Sequence, residues 1–379
     1  MRALLPTSLL AAGGLVLAAL ACAPAARPAV PAAGGAPTAP APAASGPDER
    51  QALIAAARDE GQLVLVWSDT TIGGRKAAER LIEGFNRYYG LDLALQFTPG
   101  PPMPEMAAKI AQEAQAGRRA SSDILLGTEG HMVAANEAGA LVPVDYGWAE
   151  NVRPDLVAPG GIAVEIASAM PSIVYNTQRV SDAEAPRALA DLLKPEFKGR
   201  IAGTPYGALF DVLSSPEAWG RQRVLDYVTR LADQTSGLIR SGELDRIASG
   251  EFDVLALSSN DYDARARQAQ GAPLAFAVPT DAPLVQYKYM AVPKTAAHPN
   301  AAKLWINYLL SREAQDVLYE TSFADLNRLP GSKTAGPIEA LKQSGAQPLE
   351  IDIPFLLRND PQEMDDVRNE VQRILQKQR

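Results

Sequence analysis

The sequence predicts an α/β fold, in which strands alternate with helices along the chain, and three observations support this prediction. Leu63–Trp67 (LVLVW) is apolar on both faces, as a buried strand of a parallel sheet requires. Strand-like runs at Leu91–Thr98 and Asp123–Leu126 are each followed by the apolar spacing of a helix. The chain has 379 residues, 47% of them hydrophobic, which is enough for one large or two medium domains. Such alternation is typical of a doubly wound sheet.

The other elements are predicted by the same rules, from apolar spacing and from the residues that end helices. Further strands are predicted at Ala163–Ser168, Ser172–Asn176, Ile201–Ala202, Val254–Leu257, Leu274–Val278 and Gln286–Val292. Helices are predicted at Gln51–Arg58, Pro102–Ala116, His131–Ala138, Ala188–Leu193, Pro216–Ala232, Ser241–Ser249, Asn300–Leu310, Glu313–Glu320 and Pro361–Gln376, with one more between Gly74 and Tyr89.

The first 22 residues differ in composition from the rest of the chain. A single positive charge, Arg2, precedes an uncharged apolar run and then small residues, which is typical of a secretory signal peptide. Ala19–Cys22 (ALAC) resembles a bacterial lipoprotein cleavage box, with the leucine one position later than usual, so Cys22 is the expected lipidation site. An uncleaved membrane anchor is the alternative, because the uncharged run is long enough to span a bilayer. Both readings predict a folded part outside the cytoplasm.

Residues 23–47 consist almost entirely of Ala, Pro, Gly, Ser and Thr. Such a segment cannot bury enough apolar surface to fold, so it is predicted to be a semi-extended tether. A tether behind a lipidated cysteine would hold the globular part near a membrane partner at high effective concentration.

Charge and the scarcity of cysteine and histidine argue against several function classes. The formal net charge is −8 at pH 7, which disfavours nucleic acid and anionic membranes as partners. The one cysteine lies in the leader, so no intramolecular disulfide is expected, and the two histidines, His131 and His298, stand far apart in sequence. Motifs of the common hydrolases, P-loop proteins and dinucleotide-binding proteins are absent from the sequence. The sequence therefore predicts a protein that is not an enzyme.

Polar loops follow several predicted strands, where open α/β sheets bind ligands. Each also has a structural interpretation, as helix N-caps or as ordinary packing. Tyr206, in the turn after Ile201–Ala202, could stack on a ligand, and His131 lies beside the same predicted cleft. The candidate ligand-binding residues are Ser68, Asp69, Thr70, Thr128, Glu129, Tyr206, Ser258, Asn260, Asp261 and Tyr262.

Several segments together resemble one family of transport proteins. They are Ser172–Asn176 (SIVYN), Asp191–Ala202 (DLLKPEFKGRIA), Gly250–Val254 (GEFDV), Gly271–Leu274 (GAPL) and His298–Leu304 (HPNAAKL), followed by Tyr308–Ser311 and Gln315. In this order and spacing they resemble the ferric-ion-binding branch of the type II periplasmic solute-binding proteins of ABC importers. The resemblance extends from about Leu63 to Glu320.

The resemblance implies an α/β, two-lobe type II periplasmic binding protein fold with a hinge of two crossover strands. Lobe one would comprise residues 51–165 and 292–320, lobe two residues 166–291, and residues 321–379 a C-terminal helical segment. The hinge strands would lie near Ala167–Asn176 and Val285–Val292. A monomer would close its lobes over a small ligand and dock on a membrane permease, without any cofactor.

The cargo is left open by the sequence. Ferric-binding relatives use adjacent tyrosines, which suit hard Fe³⁺; here Asn260, Asp261 and Tyr262 stand at the matching place, and the Ser68 loop has no histidine. Asp261 and Tyr262 would be metal ligands only if the cargo is ferric iron. A small organic or phosphorylated anion is the other interpretation. A ligand sensor for a membrane receptor, or a secreted hydrolase, are the alternatives to transport.

Overall fold

The computed structural model describes residues 46–69, 71–207 and 209–376 of the chain. The predicted leader, Cys22, most of the tether and Thr70 lie outside these ranges. Ala44–Arg379 forms one compact unit. Within the described ranges, no helix has both the length and the apolar character that crossing a membrane would require.

The described chain alternates strands and helices, as the sequence predicts. The strands are β1 (Gln62–Trp67), β2 (Ala94–Pro99), β3 (Leu125–Gly127), β4 (Val164–Ala169), β5 (Ser172–Asn176), β6 (Ile201–Gly203), β7 (Thr235–Leu238), β8 (Val254–Ser258), β9 (Leu274–Ala277), β10 (Leu284–Ala291) and β11 (Leu349–Ile351). The α-helices are α1 (Pro47–Glu60), α2 (Gly74–Tyr89), α3 (Met103–Gln115), α4 (Glu129–Glu137), α5 (Phe210–Leu213), α6 (Arg221–Gln234), α7 (Asp245–Ala248), α8 (Tyr262–Ala269), α9 (Pro299–Leu309), α10 (Arg312–Ser322), α11 (Ala335–Gln343), α12 (Ile353–Arg358) and α13 (Pro361–Gln376).

Lobe one is built around two small sheets and the helices that cover them. β1 pairs in parallel with β2, and β10 pairs antiparallel with both β3 and β4. Its core contains large buried rings, such as Phe85 of α2 and Trp305 of α9, whose centroids lie 5.6 Å apart. Burial of such rings from α2 and α9 joins the chain's first segment to its return segment.

Lobe two contains one mixed five-stranded sheet in the order β7-β6-β8-β5-β9. β6 is parallel to β7 and β8, whereas β5 is antiparallel to β8 and β9. The sheet is therefore not the purely parallel one that strand–helix alternation suggests, because β5 enters the lobe from the hinge in the opposite direction.

Three segments cross between the lobes. The first runs from β4 into β5, so that Met170 packs in the core of lobe one and Ile173 in that of lobe two; the second is β10. These are the two predicted crossover strands. The third, which was not predicted, is β11, which pairs in parallel with Leu284–Gln286 of β10.

The C-terminal segment is divided between the lobes by this third crossing. Ile338 of α11 lies in the core of lobe one. After the crossing, α13 packs on α5 and α6 of lobe two through one apolar face, formed by Met364, Val367, Val371 and Leu375. The bounds of α13 can be predicted from the sequence. The surface on which it packs cannot, because that surface exists only in the folded lobe.

Three predicted helices differ from those observed. The predicted helix at Ala188–Leu193 is a short 3-10 helix, Leu189–Leu193, because Pro195 follows too closely for a longer one. The helix predicted to begin at Pro216 begins at Arg221, after Gly220 with a φ of 76°. Of the predicted helix Ser241–Ser249, only Asp245–Ala248 is helical.

Candidate functional site

A cluster of charged side chains lies where the two lobes meet the hinge strand β10. Gln286 and Lys288 are two residues apart on β10, so their side chains lie on the same face of that strand. Electrostatic interactions connect Lys288 to Glu129, at the start of α4 in lobe one, and to Asp263, in α8 of lobe two. The first turn of each helix follows a strand of its own lobe, so both helix starts are directed to this junction.

Glu129 is a buried carboxylate with half of its hydrogen-bonding capacity unused. The side chain is 6% exposed, and Gln286 Nε2 donates a hydrogen bond of 3.1 Å to its Oε1. Its Oε2 is buried and has no partner among the described residues. Burial raises the pKa of Glu129 to about 7, although Lys288 opposes the shift. A carboxylate held this way gains from a ligand that donates hydrogen bonds.

Lys288 is the cation of the cluster. It is 6% exposed, and no carboxylate in the described part of the chain lies within 4.0 Å of its ammonium group. Burial lowers the pKa of Lys288, whereas Glu129 and Asp263 raise it. A buried ammonium without a contacting counterion is unfavourable by itself, and an anionic ligand group would compensate for it.

His131 adds a neutral imidazole beside the cluster. Its Nδ1 accepts a hydrogen bond of 3.0 Å from the backbone N–H of Thr128 and lies 3.1 Å from the Thr128 hydroxyl. Nε2 therefore carries the proton of the neutral ring. Burial, and then Lys288, lower the pKa of His131 to about 4. Thr128, a predicted ligand contact, thus has its side chain beside His131 at the N-cap of α4.

The loop after β8 contains two predicted ligands whose side chains already have partners. Asp261 is 2% exposed; its Oδ1 accepts a hydrogen bond of 2.9 Å from Met170 N, and its Oδ2 pairs with Arg265 Nε at 2.8 Å. Asn260 Oδ1 accepts from Asp263 N at 2.9 Å and caps the following helix. Asp261 joins the first crossing to lobe two, and Asn260 orients α8.

The other two predicted residues of this loop are less constrained by hydrogen bonds. The Ser258 hydroxyl is buried without a partner in the described chain. Tyr262 is half-buried and packs against the core of lobe one, although it belongs to lobe two. Burial raises the pKa of its hydroxyl, and Asp263 and Asp261 add to the shift, so Tyr262 stays protonated at neutral pH.

A second lobe-two loop, between β6 and α5, approaches the cluster. The predicted contact Tyr206 is half-buried, and its hydroxyl accepts a hydrogen bond of 2.9 Å from Ser241 N. Leu209 has a φ of 76°, a strained value for a non-glycine residue that is often found at functional sites. Asp211 pairs with Arg368 of α13 through Oδ2 (Arg368 Nε at 2.8 Å), while its Oδ1 is buried without a partner in the described chain. Asp211 also interacts electrostatically with Glu129.

The first-lobe loop before α2 makes local contacts. Asp69 is exposed, and its Oδ1 accepts from Arg75 N at 3.3 Å. The carbonyl oxygen of Ser68 accepts from Thr71 N at 2.9 Å, and Ser68 itself is half-buried. Thr70, the remaining predicted contact of this loop, lies outside the described residues. The N-cap interpretation, which the sequence also supports, fits these contacts.

Sequence reasoning missed Lys288, Gln286, Asp263 and Asp211. One signal was present, since Lys288 is the single charged residue of the mostly apolar strand Leu284–Ala291 (LVQYKYMA), where a charge needs a functional reason. No such signal marks Asp263 or Asp211, because their place beside the cluster depends on how the lobes are arranged.

A concavity of about 690 Å³ lies in lobe one, and its wall includes no residue of the charge cluster. Proline, glycine and apolar side chains form most of its wall, including Val144, Val152 and Val157, and Asp145 is its single charged residue. The charge cluster at Lys288 therefore offers more specific chemistry than this groove.

Comparison with known proteins agrees with the two-lobe architecture. Residues 121–340 match the family described as bacterial extracellular solute-binding protein. The Fe(3+)-binding periplasmic protein of Serratia marcescens is 32% identical over 136 residues, which is 35% of this chain and 38% of that protein. The major ferric iron-binding protein of Neisseria meningitidis serogroup B is 24% identical over 285 residues, 71% of this chain and 83% of that protein.

A solved structure shows the same fold at lower identity. The substrate-binding protein of the ABC transporter from Agrobacterium tumefaciens superposes with a TM-score of 0.67 and 18% identity, covering 84% of this chain and 96% of that one. The family match covers more than half of the chain, from β3 into α11. The chain therefore belongs to the family of bacterial extracellular solute-binding proteins.

Proposed function

We propose that this protein is the extracytoplasmic solute-binding component of an ABC importer, which closes two lobes over a small ligand and delivers it to a membrane permease. One observation carries the proposal: Glu129 Oε2 of lobe one is buried without a partner in the described chain, and the buried Lys288 of the hinge has no carboxylate of the described chain within 4.0 Å of its ammonium group. Such groups are unfavourable in an empty protein and favourable against a ligand of complementary charge.

The position of the cluster explains how binding would be coupled to closure. A ligand stabilises the closed state only if it interacts better with that state than with the open one. Glu129 belongs to lobe one and Asp263 to lobe two, so one ligand contacting both would favour closure by a hinge motion at the crossing segments. Binding and release would need no covalent step.

A small organic ligand is the favoured cargo. At the place where ferric-binding relatives use tyrosines, both carboxylate oxygens of Asp261 already accept hydrogen bonds, and Lys288 adds a positive charge nearby. A trivalent cation would be repelled by that ammonium group. Ferric iron is the second candidate, because two relatives are named for binding it and Tyr262 stands near the cluster.

Features of the sequence support a place for the protein outside the cytoplasm, attached to the membrane. A leader that ends in Ala19–Cys22, followed by an Ala/Pro-rich tether, supports export and attachment to the membrane by lipidation of Cys22. The tether would keep the binding lobes close to the permease. We propose a monomer that does not bind nucleic acid. A receptor partner in place of a permease is the alternative. Among the described residues, no cluster supports the hydrolase interpretation.

Native mass spectrometry of the protein purified from its own cells, without refolding, tests this proposal. A bound organic mass that disappears on denaturation supports it, and a bound iron mass shifts the cargo to the second candidate. Uptake of the identified ligand in a deletion strain then separates transport from sensing. Unchanged uptake, or turnover of the ligand by the protein, would contradict the importer role.

A further inference from the structure

The cluster at the lobe junction contains both signs of charge, arranged so that they do not neutralise each other directly. Lys288 interacts electrostatically with Glu129 and Asp263, but no carboxylate of the described chain forms an ion pair with it within 4.0 Å. Glu129 instead accepts a hydrogen bond from the neutral side chain of Gln286. Glu129 and Lys288 therefore do not form an ion pair, although their opposite charges attract each other.

The negative part of the cluster is suited to a cationic group. Glu129 Oε2 and Asp211 Oδ1 are both buried without a partner in the described chain, and the two carboxyl groups come from different lobes. They interact electrostatically with each other. An ammonium group that reached both free oxygens would supply the missing hydrogen bonds, while Asp211 kept its ion pair with Arg368 through Oδ2.

The positive part is suited to an acid group. Lys288 is buried among residues of β10 and the start of α4, and the neighbouring His131 is neutral with a proton on Nε2. The Lys288 ammonium can donate hydrogen bonds to a carboxylate or phosphonate, and the neutral His131 adds no charge that would compete with that group.

The spacing on β10 limits the size of the ligand. Gln286, which contacts Glu129, and Lys288 are two residues apart on one strand, which corresponds to roughly 7 Å along it. The two strand positions that lead to the acid-binding and ammonium-binding groups are therefore about as far apart as the ends of a short molecule. From these observations we propose that the ligand is a small zwitterion, with its acid group on Lys288 and its ammonium group on Glu129 and Asp211. This inference rests on the proposed solute-binding function.

A panel of matched probes tests the ligand class. Thermal unfolding and titration calorimetry of the full chain would be run with the standard α-amino acids, short ω-amino acids and their aminoalkylphosphonate counterparts. Each would be compared with the same molecule lacking the amine and the same molecule lacking the acid, and with ferric citrate. We expect at least one zwitterion to bind and neither of its two half-molecules to do so at the same concentration.

Two variants assign the groups. Glu129→Gln should weaken binding of that zwitterion by about ten- to a hundredfold, because a charged hydrogen bond is replaced by a neutral one. Lys288→Met should weaken it at least as much. The exposed residues Glu137 and Lys294 provide the matched controls Glu137→Gln and Lys294→Met, which should leave affinity within about twofold.

Each outcome decides the proposal. Binding of an acid-only probe, an amine-only probe or ferric iron would overturn the zwitterion assignment and leave the solute-binding function intact. Failure of every probe to bind would also overturn it. An unchanged zwitterion affinity in Glu129→Gln and Lys288→Met, with both variants folded by circular dichroism, would contradict the site. Loss of the proposed function itself would be recognised separately, as unchanged uptake in the deletion strain.

Discussion

Arg328 is expected to determine how firmly the three interlobe segments are held together. Its guanidinium pairs with Glu165 of β4 at 3.0 Å, donates to the Tyr287 hydroxyl of β10 at 3.0 Å and pairs with Glu350 of β11. The group also lies 4.4 Å from the centre of the Tyr287 ring. One side chain thus contacts all three crossings.

The substitution Arg328→Met removes these contacts and leaves Glu165 buried without its cation. Glu165 is 4% exposed, and burial raises its pKa to about 8 even with Arg328 present. Removing one partner of a buried ion pair costs about 3–5 kcal/mol. Because the Arg328 side chain is 19% exposed, and because the raised pKa leaves Glu165 mostly protonated at neutral pH, we expect less than this range, about 2 kcal/mol from the lost charged hydrogen bonds. This corresponds to a fall in melting temperature of roughly 3 °C.

Thermal unfolding followed by circular dichroism measures this loss. Arg312→Met is the matched control, since Arg312 pairs with Asp316 at the surface and its side chain is 59% exposed. The control should change the free energy of unfolding by less than about 1 kcal/mol. Equal stability of the two variants would refute the argument that Arg328 joins the crossings.

Three further predictions concern the site and its surroundings. Burial raises the pKa of Glu129 from 4.5 to about 7, and Lys288 and Asp211 are the charged groups that face it. The contribution of Glu129 to the stability of the ligand-free protein is therefore greatest below pH 4.5 and is lost as the pH rises through 7. Glu129→Gln should flatten this part of a profile of melting temperature against pH. Gly207→Ala should lower the melting temperature, because a Cβ there would lie 2.8 Å from a backbone oxygen of α13, and a stability equal to wild type would contradict that packing. Cys22→Ala should abolish the incorporation of labelled fatty acid into the protein, and incorporation equal to that of the wild type would contradict lipidation at this residue.

The sequence predicted those parts of the fold that depend on local patterns. β5 and α13 have their predicted bounds, since alternation or apolar spacing and a flanking turn or proline define both. The antiparallel direction of β5, the third crossing at β11 and the docking of α13 on lobe two were not predicted. Each depends on contacts between segments far apart in sequence, which no local pattern encodes.

The site was predicted only in part. Glu129 was a candidate from the sequence because it follows a predicted strand at the start of a helix, which is a local rule, and its role in binding stays a prediction. Asp261 satisfied the same rule, yet the structure engages both of its oxygens with Met170 and Arg265. The unpaired state of Lys288 was not predictable, because it depends on which carboxylates the two lobes bring near it.

A crystal structure of the protein with its purified ligand bound would show whether the cluster at Lys288 is the binding site. We expect a ligand enclosed between the lobes, with one polar group on Lys288 and another on Glu129, and with a contact to Asp211 or Asp263 of lobe two. A ligand bound to one lobe alone, for example in the groove lined by Val144 and Val157, would contradict it.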